Sequence, residues 1–543
     1  MLTRSATGTW LPAWVPRSSP FLATLTLTCS MSQTATNGYD GTMLNGLNIL
    51  PAYNQYFQLT DTLRGLSTAS IFIGGFVGLF WAGKMSDSLG RRPALFWGSF
   101  ISIIGIVLQT AAQDVAMFVI ARIVLGWGGA IGCVAGAVYL NETFPSRWRS
   151  WGVGLLNNTY YVGAFIVALV TLGASHIGST WAWRAPSLFQ AVFSVLCLMV
   201  LPFVPESPRW LVAQGLYAEA RECVAQTNFN GDTEHPDCIT IYESIVNALE
   251  WERKQGQTMS WKETYRRPTA RKRVLIGASV GPFSCIAGNV IASYYLGAEL
   301  ATAGITDPQD QLKANIVMNV WCFACALFGT RLVSSWGRKP TALLSQGLLI
   351  ALLFIIGGLT KKVQDYKGSA EPGSLTYGAV AAMFLFQGFY SIAWTPLLYV
   401  YPPEIMNYAI RANGLALSIL TLNFLAIVLV FSMPIALKNL GWKMYIINGS
   451  WDVITFFLIA VYWVETKGKS LEEIDSLFGD EPDPAHHLES TGIGITREKR
   501  SLENTADERP AMQGQAEIHQ ATEGVHMRGL KADGRKNPAS APG

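Results

Sequence analysis

The chain has 543 residues, half of them hydrophobic and only 14% charged, with a formal net charge of +3. Soluble domains carry about 25% charged residues, so this composition excludes an ordinary soluble fold and points to the membrane. The positive charge lies in loop clusters rather than in a basic stripe interleaved with stacking aromatics, which argues against nucleic acid as a partner.

Apolar segments recur at about 21–44, 65–83, 93–112, 115–138, 150–172 and 186–204, and again at 274–300, 313–333, 340–359, 374–400, 411–437 and 442–463. Each is near the roughly 20 residues needed to cross a bilayer, so the pattern predicts an all-α integral membrane protein of twelve transmembrane helices in two six-helix halves. Residues 1–20 form an N-terminal segment, 21–204 the first half, 205–273 a central connection, 274–463 the second half and 464–543 a tail. The tail has no aromatic after Phe478, too little apolar surface to fold, and is expected to be largely disordered. Before it, Leu471, Ile474, Leu477 and Phe478 form a short amphipathic stripe that could lie against the cytoplasmic face. Cys322 and Cys325 have redox spacing but sit inside an apolar run, where packing is the simpler reading.

Basic residues set the orientation. Lys84, Arg91 and Arg92 follow span 2, Arg147 and Arg149 follow span 4, and Arg331, Arg338 and Lys339 flank the loop after span 8. With the basic connection between the halves, they place both termini in the cytoplasm, although Lys361, Lys362 and Lys367 in an outer loop weaken the bias. The halves also echo one another: Glu142 precedes Arg149 as Glu404 precedes Arg411, and Gly90-Arg91-Arg92 is repeated as Gly337-Arg338-Lys339. Two related halves around a midplane site suit alternating access. Gly128, Gly132 and Gly136, and Gly74 with Gly78, read as smooth close-packing seams.

Several motifs occur in order: Gly83-Lys-Met-Ser-Asp87-Ser-Leu-Gly90-Arg91-Arg92, then Arg122 with Gly126 and Gly128, then Tyr139, Glu142, Pro145 and Arg149, then Pro205-Glu206-Ser-Pro-Arg209-Trp210, and finally Glu465-Thr-Lys-Gly468. Together they resemble the sugar porter family of the major facilitator superfamily, over about Gly38 to Phe478. Trp183-Arg184-Ala-Pro186-Ser-Leu-Phe-Gln190-Ala and Ile392-Ala-Trp394-Thr-Pro396-Leu look most like its fungal lactose permease-like branch, carriers of disaccharides and hexoses. The pattern departs from the family at Ser334, where the second loop commonly has an acid, at Ser284 and Cys285, where glutamines are common, at Asn157, near the usual glutamine of span 5, and at Val290, where many members have asparagine.

An ionisable residue within an apolar helix is expensive and marks function by default; Asp40 in span 1 is such a residue. The resemblance implies that Asp40 pairs with Arg122 and carries a coupling proton. Asp87, Arg91, Arg92, Glu142, Arg149, Glu206, Arg209, Glu404 and Arg411 fall at cytoplasmic helix ends and suit a conformational latch. An uncharged sugar needs amides or hydroxyls and an aromatic face, for which Asn157, Asn158, Ser284, Asn289, Asn319, Trp394, Tyr399 and Asn423 are the candidates.

The resulting expectation is a monomeric proton–sugar symporter of the plasma membrane, with sugar, proton and lipid bilayer as partners and no cofactor or metal. Two rivals stand beside it: a sugar sensor with the carrier fold, and a facilitative carrier of a polyol or sugar-like acid. An enzyme is disfavoured, because there is no HExxH and Gly468-Lys469-Ser470 has Trp463 where a phosphate loop needs glycine.

Overall fold

The computed structural model describes residues 18–145, 149–255, 261–365, 373–406 and 408–469, with Ile474, Leu477 and Phe478. The expected N-terminal segment before Ser18, Leu471 and the tail beyond Phe478 lie outside the described residues.

Side-chain caps start several of the long helices. Ser18 accepts from the Phe21 amide ahead of α1 (Ser19–Ile49), which is followed by the short α2 (Pro51–Phe57). Thr60 caps α3 (Asp61–Leu89). Then come α4 (Arg91–Thr110) and α5 (Val115–Thr143), the latter capped by Asp114. The first half closes with α6 (Arg149–Ala174), α7 (Trp181–Phe189) and α8 (Ala191–Val200). An oxygen acceptor at these positions satisfies amides that the helix itself cannot.

The second half opens on one broken span, α13 (Pro268–Ala278), α14 (Val280–Ser284) and α15 (Val290–Thr302). It continues through α16 (Pro308–Trp336), α17 (Arg338–Asp365), α18 (Gly373–Ile405), α19 (Tyr408–Leu440) and α20 (Lys443–Tyr462). Among the described residues ten helical stretches are long and apolar enough to cross a membrane. The other two of the twelve are α6, apolar from Asn158 to Ala174, and α1, which buries Gln33, Asp40, Asn45 and several Ser and Thr residues along its 31 residues.

The central connection, read from sequence only as a basic linker, is helical. It forms α9 (Pro208–Ala213), α10 (Tyr217–Asn228), α11 (Pro236–Gln255) and α12 (Trp261–Arg266). Leu211, Val212, Cys223, Val224, Cys238 and Ile245 give it a core of its own. It is tied to the first half where Ser19 Oγ donates to the Gln226 carbonyl and Trp210 Nε1 to the Asp87 carbonyl. Of the amphipathic stripe, Ile474 and Phe478 bury in the core of the second half and Leu477 stays exposed.

Close backbone approach explains the seam at Gly74. A Cβ on Gly74 would lie 2.0 Å from the Ile123 carbonyl oxygen, so α3 and α5 meet backbone to backbone. The stripe on α5 divides instead between two partners, Gly128 against Ser102 of α4 and Gly132 against Gln33 of α1.

Candidate functional site

Asp40 sits inside the first half and is 2% exposed; Arg122, from α5, is fully buried. The two meet in a fork: Arg122 Nη1 and Nη2 donate to Asp40 Oδ1 and Oδ2 at 3.0 and 2.8 Å. Paired parallel bonds of this kind are among the strongest that proteins make. Gln190, at the α7–α8 junction, adds a donor to Oδ1 at 3.2 Å, and Arg122 Nε is held by the Ser67 carbonyl at 2.9 Å. Space beside Asp40 is tight, because a Cβ on Gly41 would lie 2.7 Å from the Tyr160 hydroxyl and 3.5 Å from that of Tyr294.

Facing this pair, the broken span of the second half presents polar groups. Its π-type turn at Cys285–Asn289 contains Gly288 at φ 91°, where a Cβ would lie 2.3 Å from Asn448 Nδ2. Such turns inside helices commonly occur at functional sites. Asn289 Oδ1 accepts from Gln387 Nε2 at 2.5 Å and from Ser293 Oγ at 2.8 Å, while Tyr390 donates its hydroxyl to the Ser284 carbonyl at 3.2 Å. Tyr161 of α6 reaches across to Ser391 Oγ and Thr395 Oγ1 of α18 at 2.8 and 3.1 Å.

The sequence candidates for cargo contact separate. Asn289 belongs to the polar cluster just described. Ser284 is buried and spends its hydroxyl on the Gly281 carbonyl. Tyr399 is 51% exposed and has Cys133 and Tyr160 of the first half as electrostatic neighbours, so it lies on the space between halves. Asn423 lies near Gly75 of α3, again between halves, and bonds to the Ile419 carbonyl. Asn158 is buried on α6, and the Asn157 side chain lies outside the described residues. Asn319 donates to Asn315, which itself accepts from Asn45 of the first half. Trp394 is 1% exposed and packs edge-on against Trp463 in the core of the second half, where its rigid indole fills space between helices.

The charged residues at the α3–α4 turn close on one another. Arg91 Nε and Nη2 donate to Glu142 at 2.9 and 3.1 Å, and Asp87 is 3.3 Å from Arg91. Ser207 Oγ donates to the same Glu142 at 2.5 Å. Glu206 accepts the backbone amides of Arg91, Arg92 and Ser207. Burial pushes the Glu206 carboxyl above its ordinary value, and those amides with Arg92 pull it back. Arg92 bonds to the Leu201 carbonyl. Arg209 has no ion-pair partner among the described residues, and the side chains of Arg149 and Arg411 lie outside them.

The second half repeats the arrangement, using two residues the sequence reading passed over as sites. Arg338 pairs with Glu404 through two bonds of 2.9 and 2.5 Å, and Thr466 Oγ1 donates to Glu404 at 2.6 Å. Glu465 accepts the amides of Arg338 and Lys339. Each of these pairs joins elements of a single half. Bonds between halves gather in mid-membrane and at the opposite end, where Lys438 meets Asp61, Gln309 donates to Ser175 and Asn45 bonds to Asn315 and the Leu296 amide.

Two further buried acids were missed. Asp452 of α20 is fully buried with Gln346 as its polar neighbour, and Glu299 of α15 is buried beside Tyr445. Both stand in apolar runs as Asp40 does, and that was the signal available.

A family model described as "Sugar (and other) transporter" matches residues 25–478. The chain is 30% identical over 459 residues to the high-affinity glucose transporter of Kluyveromyces lactis, with 82% of each chain covered. It is 27% identical over 467 residues to the sugar transporter STL1 of Saccharomyces cerevisiae, covering 83% of this chain and 80% of that one. Its fold is similar to that of the xylose transporter XylE from E. coli in a partially occluded inward-open conformation, with a TM-score of 0.68 at 21% identity, covering 83% of this chain and 100% of that one. The chain is therefore a multi-pass membrane protein with the major facilitator fold, and it belongs to the sugar transporter family.

Proposed function

We propose that this protein is a proton-coupled carrier of an uncharged sugar, a hexose or disaccharide, working by alternating access as a monomer in the plasma membrane with both termini cytoplasmic. The observation that carries the reading is the buried Asp40–Arg122 fork. A carboxyl in apolar surroundings favours its neutral form, and a guanidinium beside it favours the charged form. A rocking motion that parts and rejoins the two therefore loads and releases a proton. A membrane potential of 100 mV adds about 2.3 kcal/mol per proton moved.

The cargo site lies between halves, from Asn289, Gln387 and Tyr390 to Tyr161 and Tyr399. It offers amides, hydroxyls and an aromatic face without a charge of its own, which suits a neutral polyhydroxylated ligand. The glucose transporter named among its relatives supports a hexose. The ion pairs Arg91–Glu142 and Arg338–Glu404, with the carboxylate caps of Glu206 and Glu465, brace the cytoplasmic end of each half so that it moves as a body.

The test is uptake of labelled glucose, lactose, cellobiose and xylose in a transporter-deficient host, with external pH recorded. Sugar-dependent alkalinisation that disappears in Asp40→Asn is the expected result. Uptake without proton movement in the native protein would make it a facilitator, and tight binding without uptake would make it a sensor.

A further inference from the structure

A cleft of about 530 Å³ opens on the flank of the second half, between the start of α13 and the end of α20. Leu275, Phe283, Leu458 and Tyr462 form apolar walls, and Arg271 and Lys272 stand at the edge. The walls face outward: Leu275 is 61% and Tyr462 56% exposed, on two helices apolar enough to span the membrane. At the base, Trp463 Nε1 donates to Ser279 Oγ at 3.0 Å and fixes α13 to the end of α20. The cations are steered rather than loose. Arg271 lies over the Tyr265 ring at 5.6 Å and Lys272 over that of Phe478 at 5.7 Å.

We propose that this cleft binds an anionic phospholipid of the leaflet at this end of the bundle, its phosphate between Arg271 and Lys272 and one acyl chain along Leu275, Phe283 and Leu458. Charge complementarity selects the occupant, since the lining carries two cations and no acid. Cytoplasmic leaflets are the anionic ones, and the basic-residue bias places this end inside. A soluble anion would use only the exposed cations and leave the apolar walls unmatched. The lipid would bear on α13, the helix that leads into the π-type turn and Asn289.

The full-length protein is reconstituted in nanodiscs of phosphatidylcholine with and without phosphatidylinositol, and lipid retained after extraction is read by native mass spectrometry, independently of any cargo. Native protein is expected to retain phosphatidylinositol over phosphatidylcholine. The double variant Arg271→Gln/Lys272→Gln is expected to weaken that retention about 25-fold, taking each surface cation as worth about fivefold. Leu275→Gln, which leaves the charge alone, is expected to weaken it as well. Equal retention of both lipids by the native protein, or undiminished retention in the double variant, would overturn the proposal. So would displacement by soluble glycerophosphoinositol as readily as by the intact lipid.

Discussion

Glu206 and Glu465 hold equivalent places in the two halves, each carboxylate receiving the first backbone amides of a helix that follows a glycine in left-handed conformation. Those glycines are Gly90 at φ 104° and Gly337 at φ 113°, and a Cβ on either would lie 2.7 Å from the carboxylate that caps the turn. The negative charge also lies favourably at the helix N-terminus.

Gly337→Ala is therefore expected to lose about 1–3 kcal/mol through backbone strain alone, with added displacement of Glu465. The check is the melting temperature of the purified protein, against Gly358→Ala as a control, since a Cβ at Gly358 meets nothing.

The pH dependence of Glu206 has a definite sign. Its folded value lies above its ordinary 4.5 because of burial, so its contribution to stability is complete below about 4.5 and declines as pH rises through the folded value. Glu206→Gln cannot ionise and is expected to remove that decline while losing part of the cap. Melting temperatures of both proteins across pH 4 to 8, roughly the range where carboxyls with raised values titrate, would show converging curves. Parallel curves would refute the assignment.

Removing one partner of the buried fork leaves the other uncompensated. Arg122→Met is expected to destabilise by about 3–5 kcal/mol, and Asp40→Asn in the same chain to recover most of it. Expression and thermal stability of the two singles and the double complete the cycle; simple additivity would mean the pair is not coupled.

At the α3–α4 and α16–α17 turns the pairs act within each half. Arg91→Ala and Glu142→Ala are expected to couple by about 0.5–3 kcal/mol, whereas Arg91→Ala and Glu404→Ala should add to within about 0.5 kcal/mol. A large coupling across halves would show that the two clusters share a contact.

Gln387→Ala is expected to raise KM for the transported sugar about three- to tenfold, the worth of one hydrogen bond, with little change in melting temperature. An unchanged KM would move the cargo site away from the Asn289 cluster.

Asp40 was legible in the sequence as a charge within an apolar run, but Asp452 and Glu299 stand in such runs too, and the family resemblance singled out Asp40 and gave it Arg122 as its partner. Arg91 and Glu142 were legible through their repeated spacing. Gln190, Gln387 and Tyr161 were not, since amides and phenols are common in membrane helices and only helix packing shows which of them converge. Arg338 lay in a recognised repeat and Glu465 in a recognised motif, yet their role needed the turn geometry that sets a carboxylate over two free amides. Trp394 in the core was not legible for a related reason: an aromatic in a span can face the cleft or the core, and sequence periodicity in a helix apolar on every side does not separate them. The helices of the central connection were obscured by their charged faces, although Leu211, Val212, Cys223 and Val224 gave them a buried side.

Because each half fastens its own turn, with its own arginine, glutamate and capped helix, neither borrows a structural part from the other there. The central helices are tied to the first half through Ser19 and Asp87. Two separately encoded polypeptides divided between α11 and α12 should therefore assemble into a working protein.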